Sequence, residues 1–318
     1  MSQIQRISED EMIESIMRSG YLLEQRVSPI FEKKGFMVNV NDSYQDLETK
    51  KSREIDLRAF EIFDLAAEGN EGILVNVFAE CENNPQPLVF FQNESNQKIY
   101  NSFEDLKITG SPLYIEPKSK HKDIAEYLSF QQFHHYCLNN IYTQYCSFHQ
   151  TKQKEKKWVA SHNDQHHNTF VNLIKCLKHN MNHDIEFYHV GSSNFNVIER
   201  ISLSIYLPVL ILGGEIYEAK EVDSILSIKK INHAQFRKSM NFDRQDQLPE
   251  VYQIDVITES YLERYLDLVR SEVKEVLNRI KADYSSIKRS AVEISQILND
   301  DSSTENIMNY LIKDTPRY

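Results

Sequence analysis

Three acidic residues stand at spacings that invite chemistry. Asp56 lies in "REIDLRAF", and Glu80 and Glu82 flank Cys81 in "VFAECENN". In an extended strand side chains alternate between faces, so Glu80 and Glu82 point the same way. Carboxylates gathered on one face repel each other unless a cation stands between them or a proton neutralises one. Carboxylate oxygens are hard donors and suit Mg²⁺ or Mn²⁺ better than zinc. The bland alternative makes Asp56 and Glu80 solvated acids paired with Arg53, Arg58 or a lysine.

The elements that must carry these residues are legible nearby. Residues 9–19 and 20–34 have helical spacing. In the second helix Leu23, Val27, Ile30 and Phe31 share a face, Pro29 predicts a kink, and Gly35 stands where a terminating glycine belongs. Strands are expected at 36–40, 53–63 and 73–82. In the second, Ile55 and Leu57 are expected on one face and Glu54, Asp56 and Arg58 on the other. In the third, Ile73, Val75, Val77, Ala79 and Cys81 alternate with Leu74, Asn76, Phe78, Glu80 and Glu82. The region from about 121 to 190 reads as helical. Strand patterns return at 203–218, where Gly213-Gly214 suggests a hairpin turn, and at 251–258. An amphipathic helix follows over 259–282, and the tail from 284 reads as a partly frayed helix. Strands interrupted by helices indicate a mixed α/β fold.

Composition narrows the function classes. The 318 residues, 41% of them hydrophobic, are enough for a substantial core. The net charge of −11 counts against a broad phosphate-binding surface, although Lys50, Lys51 and Arg53 form a local basic cluster and "KQKEKKW" at 152–158 reads as a solvated loop. Four cysteines, Cys81, Cys137, Cys146 and Cys176, make no CxxC pair. No GxxxxGK or GxGxxG occurs, so nucleotide-binding readings lose their usual support. The polar N-terminus and the short apolar run "IYLPVLIL" predict a cytoplasmic protein without a membrane span.

In this order, Glu24 in "YLLEQRV", Asp56 in "REIDLRAF" and Glu80-Cys81-Glu82 resemble the PD-(D/E)XK nuclease superfamily, whose typical pattern here would be EIDL…VECK. The resemblance covers residues 20–92, with 203–281 completing the sheet. It implies a restriction-endonuclease-like mixed central sheet flanked by helices. The expected organisation is an N-terminal part of that core at 1–120, a helical insertion at 121–200, a C-terminal part at 201–283 and a helical tail at 284–318. It further implies Mg²⁺ or Mn²⁺ held by Asp56, Glu80 and the Cys81 carbonyl, with Glu24, Asp56, Glu80 and Glu82 as catalytic residues. The reaction would be metal-dependent hydrolysis of DNA phosphodiester bonds, with a defence or restriction role by family analogy and a homodimer as one open assembly.

The departure is Glu82, which occupies the lysine position. Some active members of the superfamily carry glutamate there, and Glu82→Lys would restore the commoner pattern. Other members are silent, which makes a catalytically inactive fold that binds nucleic acid or a protein the alternative. A third class is a helical adaptor presenting 121–190 and 259–282. A competing metal reading uses His162 and His166, four residues apart beside Asp164 in "SHNDQHHNTF"; without HExxH they read as structural or surface histidines. His134 and His135 read as packing residues.

Overall fold

The computed structural model describes residues 6–65, 71–92, 106–119, 122–130, 141–151, 156–162, 164–189, 198–242, 249–300, 303 and 309–313. Helix α1 (Glu9–Arg18) starts on a reciprocal cap between Ser8 and Glu11. Helix α2 (Tyr21–Lys33) continues through Pro29 and buries Leu23, Val27 and Phe31. It ends as its sequence predicts. Gly35 takes φ 95° and donates its N–H to Glu32, while the Phe36 N–H returns to the Phe31 carbonyl.

Strands β1 (Met37–Gln45), β2 (Ser52–Asp64) and β3 (Gly72–Glu82) form an antiparallel meander. Pairing of β2 with β3 runs from Leu57↔Ala79 to Asp64↔Gly72 and then stops, so Asp56 lies where the two strands fork. The β1–β2 ladder is interrupted at the same level, because Asn41, which would face Asp56, has φ 52°. That irregularity corrects one expectation. Ile55 packs with Tyr44 and Phe78, whereas Leu57 and Ala59 pack with Val75 and Val77 on the opposite side.

The chain continues through β4 (Leu88–Phe91), β5 (Lys107–Ser111), β6 (Tyr114–Ile115), β7 (Lys122–Asp123), the single turn α3 (Ile124–Tyr127), β8 (Ile141–Tyr142), β9 (Tyr145–Gln150) and β10 (Trp158–Ser161) to α4 (Asp164–His189). Then come β11 (Ser202–Leu212), β12 (Ile216–Val222), β13 (Ile225–Ile231), β14 (His233–Met240) and β15 (Glu250–Thr258). A 3-10 turn at Glu259–Tyr261 leads into α5 (Leu262–Ala282), followed by α6 (Tyr284–Asp300) and β16 (Ile312–Lys313).

Among the described residues nine strands make one mixed sheet in the order β1-β2-β3-β11-β15-β14-β8, with β5 pairing β11 and β16 pairing β5. β11 runs parallel to β3 from Ser202↔Gly72 to Leu212↔Glu82. Its other edge pairs with β5 over Ser202–Tyr206 and with β15 over Val209–Leu212. Pro208, which has no N–H to give, sits in the gap between these partners. Helices cover both faces. α2 and α5 pack on Val75, Val77 and Ala79, while α4 and α6 pack on the face of Phe78 and Leu210. Burying such side chains is worth about 1.5–3 kcal/mol each. No helix among the described residues is long and apolar enough to cross a membrane.

Three expectations change. The region expected to be helical carries β7–β10 as well as α3 and α4, and His134, His135 and residues 152–155 lie outside the described residues. β4, β9, β10, β12 and β13 build a second, five-stranded sheet in the order β10-β9-β4-β12-β13, held to α4 by an aromatic cluster of Phe90, Tyr142, Tyr145, Phe170 and Phe236. The aromatic residues leading into "YCSFHQ" mimic helical spacing, whereas "YCSFHQ" and "WVAS" are short paired strands. Gly213-Gly214 is no hairpin, since β12 pairs with β4 and β13 rather than β11. The glycines hand the chain from one sheet to the other. The tail from 284 is helical over Tyr284–Asp300, as expected, but it does not stay helical to its end, because β16 pairs with β5 and Leu311 beside it is buried.

Candidate active site

The site forms where β3 outlives its pairing with β2. Period-two alternation sends Val77, Ala79 and Cys81 towards α2 and α5, and leaves Phe78, Glu80 and Glu82 on the α4 side, as the sequence predicts. Past Ala79, no β2 residue pairs with Cys81. Its N–H donates instead to Asp56 Oδ2 at 2.7 Å, which ties the aspartate to the strand that carries the glutamates. The Cys81 carbonyl lies beneath the start of α2. A Cβ on Gly20 would come within 2.6 Å of that oxygen, so only glycine permits the approach. The same approach brings the nearly buried Glu24, one turn along α2, to the acidic patch.

Electrostatics show what this gathering costs. Burial pushes the Glu80 carboxyl up to about 9, helped by the Asp56 charge, by a hydrogen bond with Asp56, and by Glu82 and Glu24. Asp56 is raised mainly by burial, with the Cys81 N–H and the Glu80 hydrogen bond opposing. Glu24 is raised by burial and then by Asp56. Both carboxyls are thus raised, Glu80 the more, and the neighbouring pair favours holding a proton over carrying two charges. The two arginines of β2 are turned elsewhere. Arg53 turns to Asp46 at 2.9 Å, and Arg58 lies 3.6 Å from Asp42 and stacks over Phe78. Among the described residues no lysine or arginine forms an ion pair with Asp56, Glu80 or Glu82.

Glu82 has a different environment from Glu80. Its Oε1 accepts from the Thr169 hydroxyl and its Oε2 from His166 Nδ1, both buried residues on the first turns of α4. His166 Nε2 lies 2.8 Å from the Asn84 side-chain nitrogen. The Tyr145 hydroxyl, on β9, is buried without a hydrogen-bond partner among the described residues; burial, and then the Glu82 charge, push it up to about 12.

The structure thus brings Glu24, Asp56, Glu80, Cys81 and Glu82 together at one end of β3. The two histidines of the competing reading have different partners. His162 packs edge-on against Tyr145 at 5.0 Å, His166 binds Glu82, and the Asp164 side chain lies outside the described residues. His166 is therefore buried at the site rather than on the surface, and Thr169 joins it. The signal for both was their i, i+3 spacing, which puts them on one helical face. The donor chemistry fits a hard divalent cation, with two carboxyl groups and the Cys81 carbonyl as oxygen ligands. In their present arrangement Asp56 and Glu80 bond to each other, and no group of three His, Cys, Asp or Glu side chains among the described residues is disposed to hold an ion. No family model matches the chain, and no curated protein or solved structure does so either.

Proposed function

We propose that this protein is a divalent-metal-dependent nuclease of restriction-endonuclease-like fold that hydrolyses DNA phosphodiester bonds in the cytoplasm. The observation that carries the reading is the Asp56–Glu80 pair at the β2–β3 fork, desolvated, unrelieved by any cation among the described residues, and adjacent to the Cys81 carbonyl. A charge pattern this unfavourable is expected where function requires it. Mg²⁺ or Mn²⁺ held by Asp56, Glu80 and the Cys81 carbonyl would polarise a phosphate oxygen and acidify a bound water.

The chain's own residues have separable tasks. Asp56 is oriented in advance by the Cys81 N–H. Glu80 must release its proton before it can serve as a ligand, so protonation competes with the metal. Glu24 adds negative charge from the α2 side and raises the attraction for a cation. Glu82 stands beside this set as an acceptor fixed by α4.

A second reading has its own support. The hydrogen bond between Glu80 and Asp56, together with the lack of a ready three-side-chain group, fits a silent nuclease fold that binds nucleic acid without cutting it. Plasmid nicking with Mg²⁺, Mn²⁺ or EDTA decides between the two. The nuclease reading expects nicking with metal, none with EDTA, and at least a hundredfold loss in Asp56→Ala and Glu80→Ala. Binding without metal-dependent nicking supports the silent fold.

A further inference from the structure

Glu82 occupies the position at which the resembled pattern has a lysine, and the side chains around it are donors. The hydrogen-bond directions can be followed outward. The Gln86 backbone N–H donates to Asn84 Oδ1 at 3.0 Å, which fixes the amide so that its NH₂ faces His166. His166 Nε2 must then accept, and a proton there would set two donors against each other. The imidazole is accordingly neutral, with its proton on Nδ1, and that N–H points at Glu82 Oε2. Thr169 donates to the other oxygen, since its hydroxyl bonds a group that can only accept when ionised.

No positive charge replaces the missing lysine, because His166 is neutral by this network. What remains is a carboxylate whose two oxygens are each held by one donor and each keep acceptor capacity. The buried Tyr145 hydroxyl, near enough to feel the Glu82 charge, has no hydrogen-bond partner among the described residues. A water molecule reaching both groups would meet both needs, donating to Glu82 and accepting from Tyr145.

We propose that His166, Thr169 and Tyr145, contributed by α4 and β9, complete the site by making Glu82 a rigid acceptor that orients the attacking water. His166 and Thr169 are positioning residues, and Tyr145 touches the water itself. The inference rests on the nuclease reading. In it the five-stranded sheet and α4 belong to the catalytic machinery, and the water is aligned by hydrogen-bond direction instead of by a lysine charge.

The test uses the full chain with Mn²⁺ and a nicked-plasmid readout. His166→Ala is expected to lower kcat about 100-fold with little change in KM, as loss of positioning does. His166→Asn keeps a donor near the Nδ1 position and should recover at least tenfold of that loss. Should burial of His166 make its alanine variant fail to fold, Tyr145→Phe serves, because removing an unpartnered buried hydroxyl leaves folding intact. It too is expected to slow cleavage, by about 10-fold or more. Nitrogen NMR of the wild type should show His166 neutral and protonated on Nδ1. An active wild type with Tyr145→Phe equally active, no rescue by His166→Asn, or a proton on Nε2 overturns this inference alone. A wild type that cuts nothing overturns the nuclease reading, and this inference with it.

Discussion

Cys81 donates its backbone N–H to Asp56 Oδ2 at 2.7 Å just past the last paired residues of β2 and β3. A ladder that continued two residues further, to Ile55 opposite Cys81, could satisfy that N–H with backbone and leave Asp56 no fixed place. The fork therefore does two things: it frees a donor and it holds an acid beside Glu80. The properties of the site follow from this arrangement and from the proton it retains.

That proton gives the first prediction. Glu80 has its folded value raised from 4.5 to about 9, so its contribution to stability is complete below pH 4.5 and is lost as pH rises towards 9. Glu80→Gln cannot lose a proton there. Metal-free Glu80→Gln should match the wild type near pH 5 and become progressively more stable than it at pH 8–9. Mg²⁺ affinity of the wild type should rise with pH over the same window, by at most tenfold per unit for one displaced proton. Chemical denaturation in EDTA and calorimetric metal titration at several pH values check both. A wild type and variant with parallel pH profiles would remove Glu80 as the proton carrier.

Gly20 gives the second. Its α carbon has ordinary helical geometry, so the constraint is steric: a Cβ would meet the Cys81 carbonyl oxygen at 2.6 Å. Gly20 is the N-cap of α2, where alanine is no better than glycine, and Gly20→Ala should cost about 1–3 kcal/mol of overpacking. Cleavage should fall further than the stability loss explains, because the displaced atom is the proposed carbonyl ligand. Gly20→Ala with undiminished activity and Tm would show that the carbonyl has room.

A third prediction concerns the clamp that fixes α4 to the β1–β2 turn. Asp46 is fully buried and accepts from the Glu48 and Thr49 N–H groups at 3.0 Å, from Arg53 at 2.9 Å and from Lys175 at 3.2 Å. Burial works against its ionisation, but these donors together hold its carboxyl well below the usual range, so its stabilisation is present above about pH 4 and lost as pH falls further. Asp46→Ala leaves Lys175 without this partner and should cost about 3–5 kcal/mol. At about 2–4 °C per kcal/mol that lowers Tm by roughly 6–20 °C, read by thermal unfolding at pH 7. A loss below 1 kcal/mol would mean that the clamp forms elsewhere in solution.

Glu82→Lys supplies the fourth. The sequence alone suggests that lysine would restore the commoner pattern. The structure argues otherwise, because an ammonium would face His166 Nδ1–H donor to donor and would deprive both this N–H and the Thr169 hydroxyl of the carboxylate that accepts from them. The variant is expected to lose about 2–4 kcal/mol and to show no gain in Mg²⁺-dependent cleavage. A stable Glu82→Lys protein with wild-type or higher activity would mean that α4 can rearrange around a cation.

The local parts of this protein were readable from residue order. Ser8 and Glu11 start α1, Gly35 ends α2, the seven-residue recurrence of Leu262, Val269 and Val276 marks α5, and alternation in β3 puts Glu80 and Glu82 on one face. Each depends on neighbours within about one turn or one strand, where periodicity and capping suffice. What lay beyond reach was decided by contacts between distant segments. The interrupted ladder at Asn41 and Asp56 put Ile55 and Leu57 on opposite sides, the second sheet pairs β4 with strands more than fifty residues away, and Glu82 receives its partners from His166 and Thr169, more than eighty residues along the chain. A single sequence carries the spacing of acids along a strand. Only the packed structure decides which acid holds a proton, which meets a histidine, and which lies at a fork, because burial and hydrogen-bond direction are properties of the assembled chain.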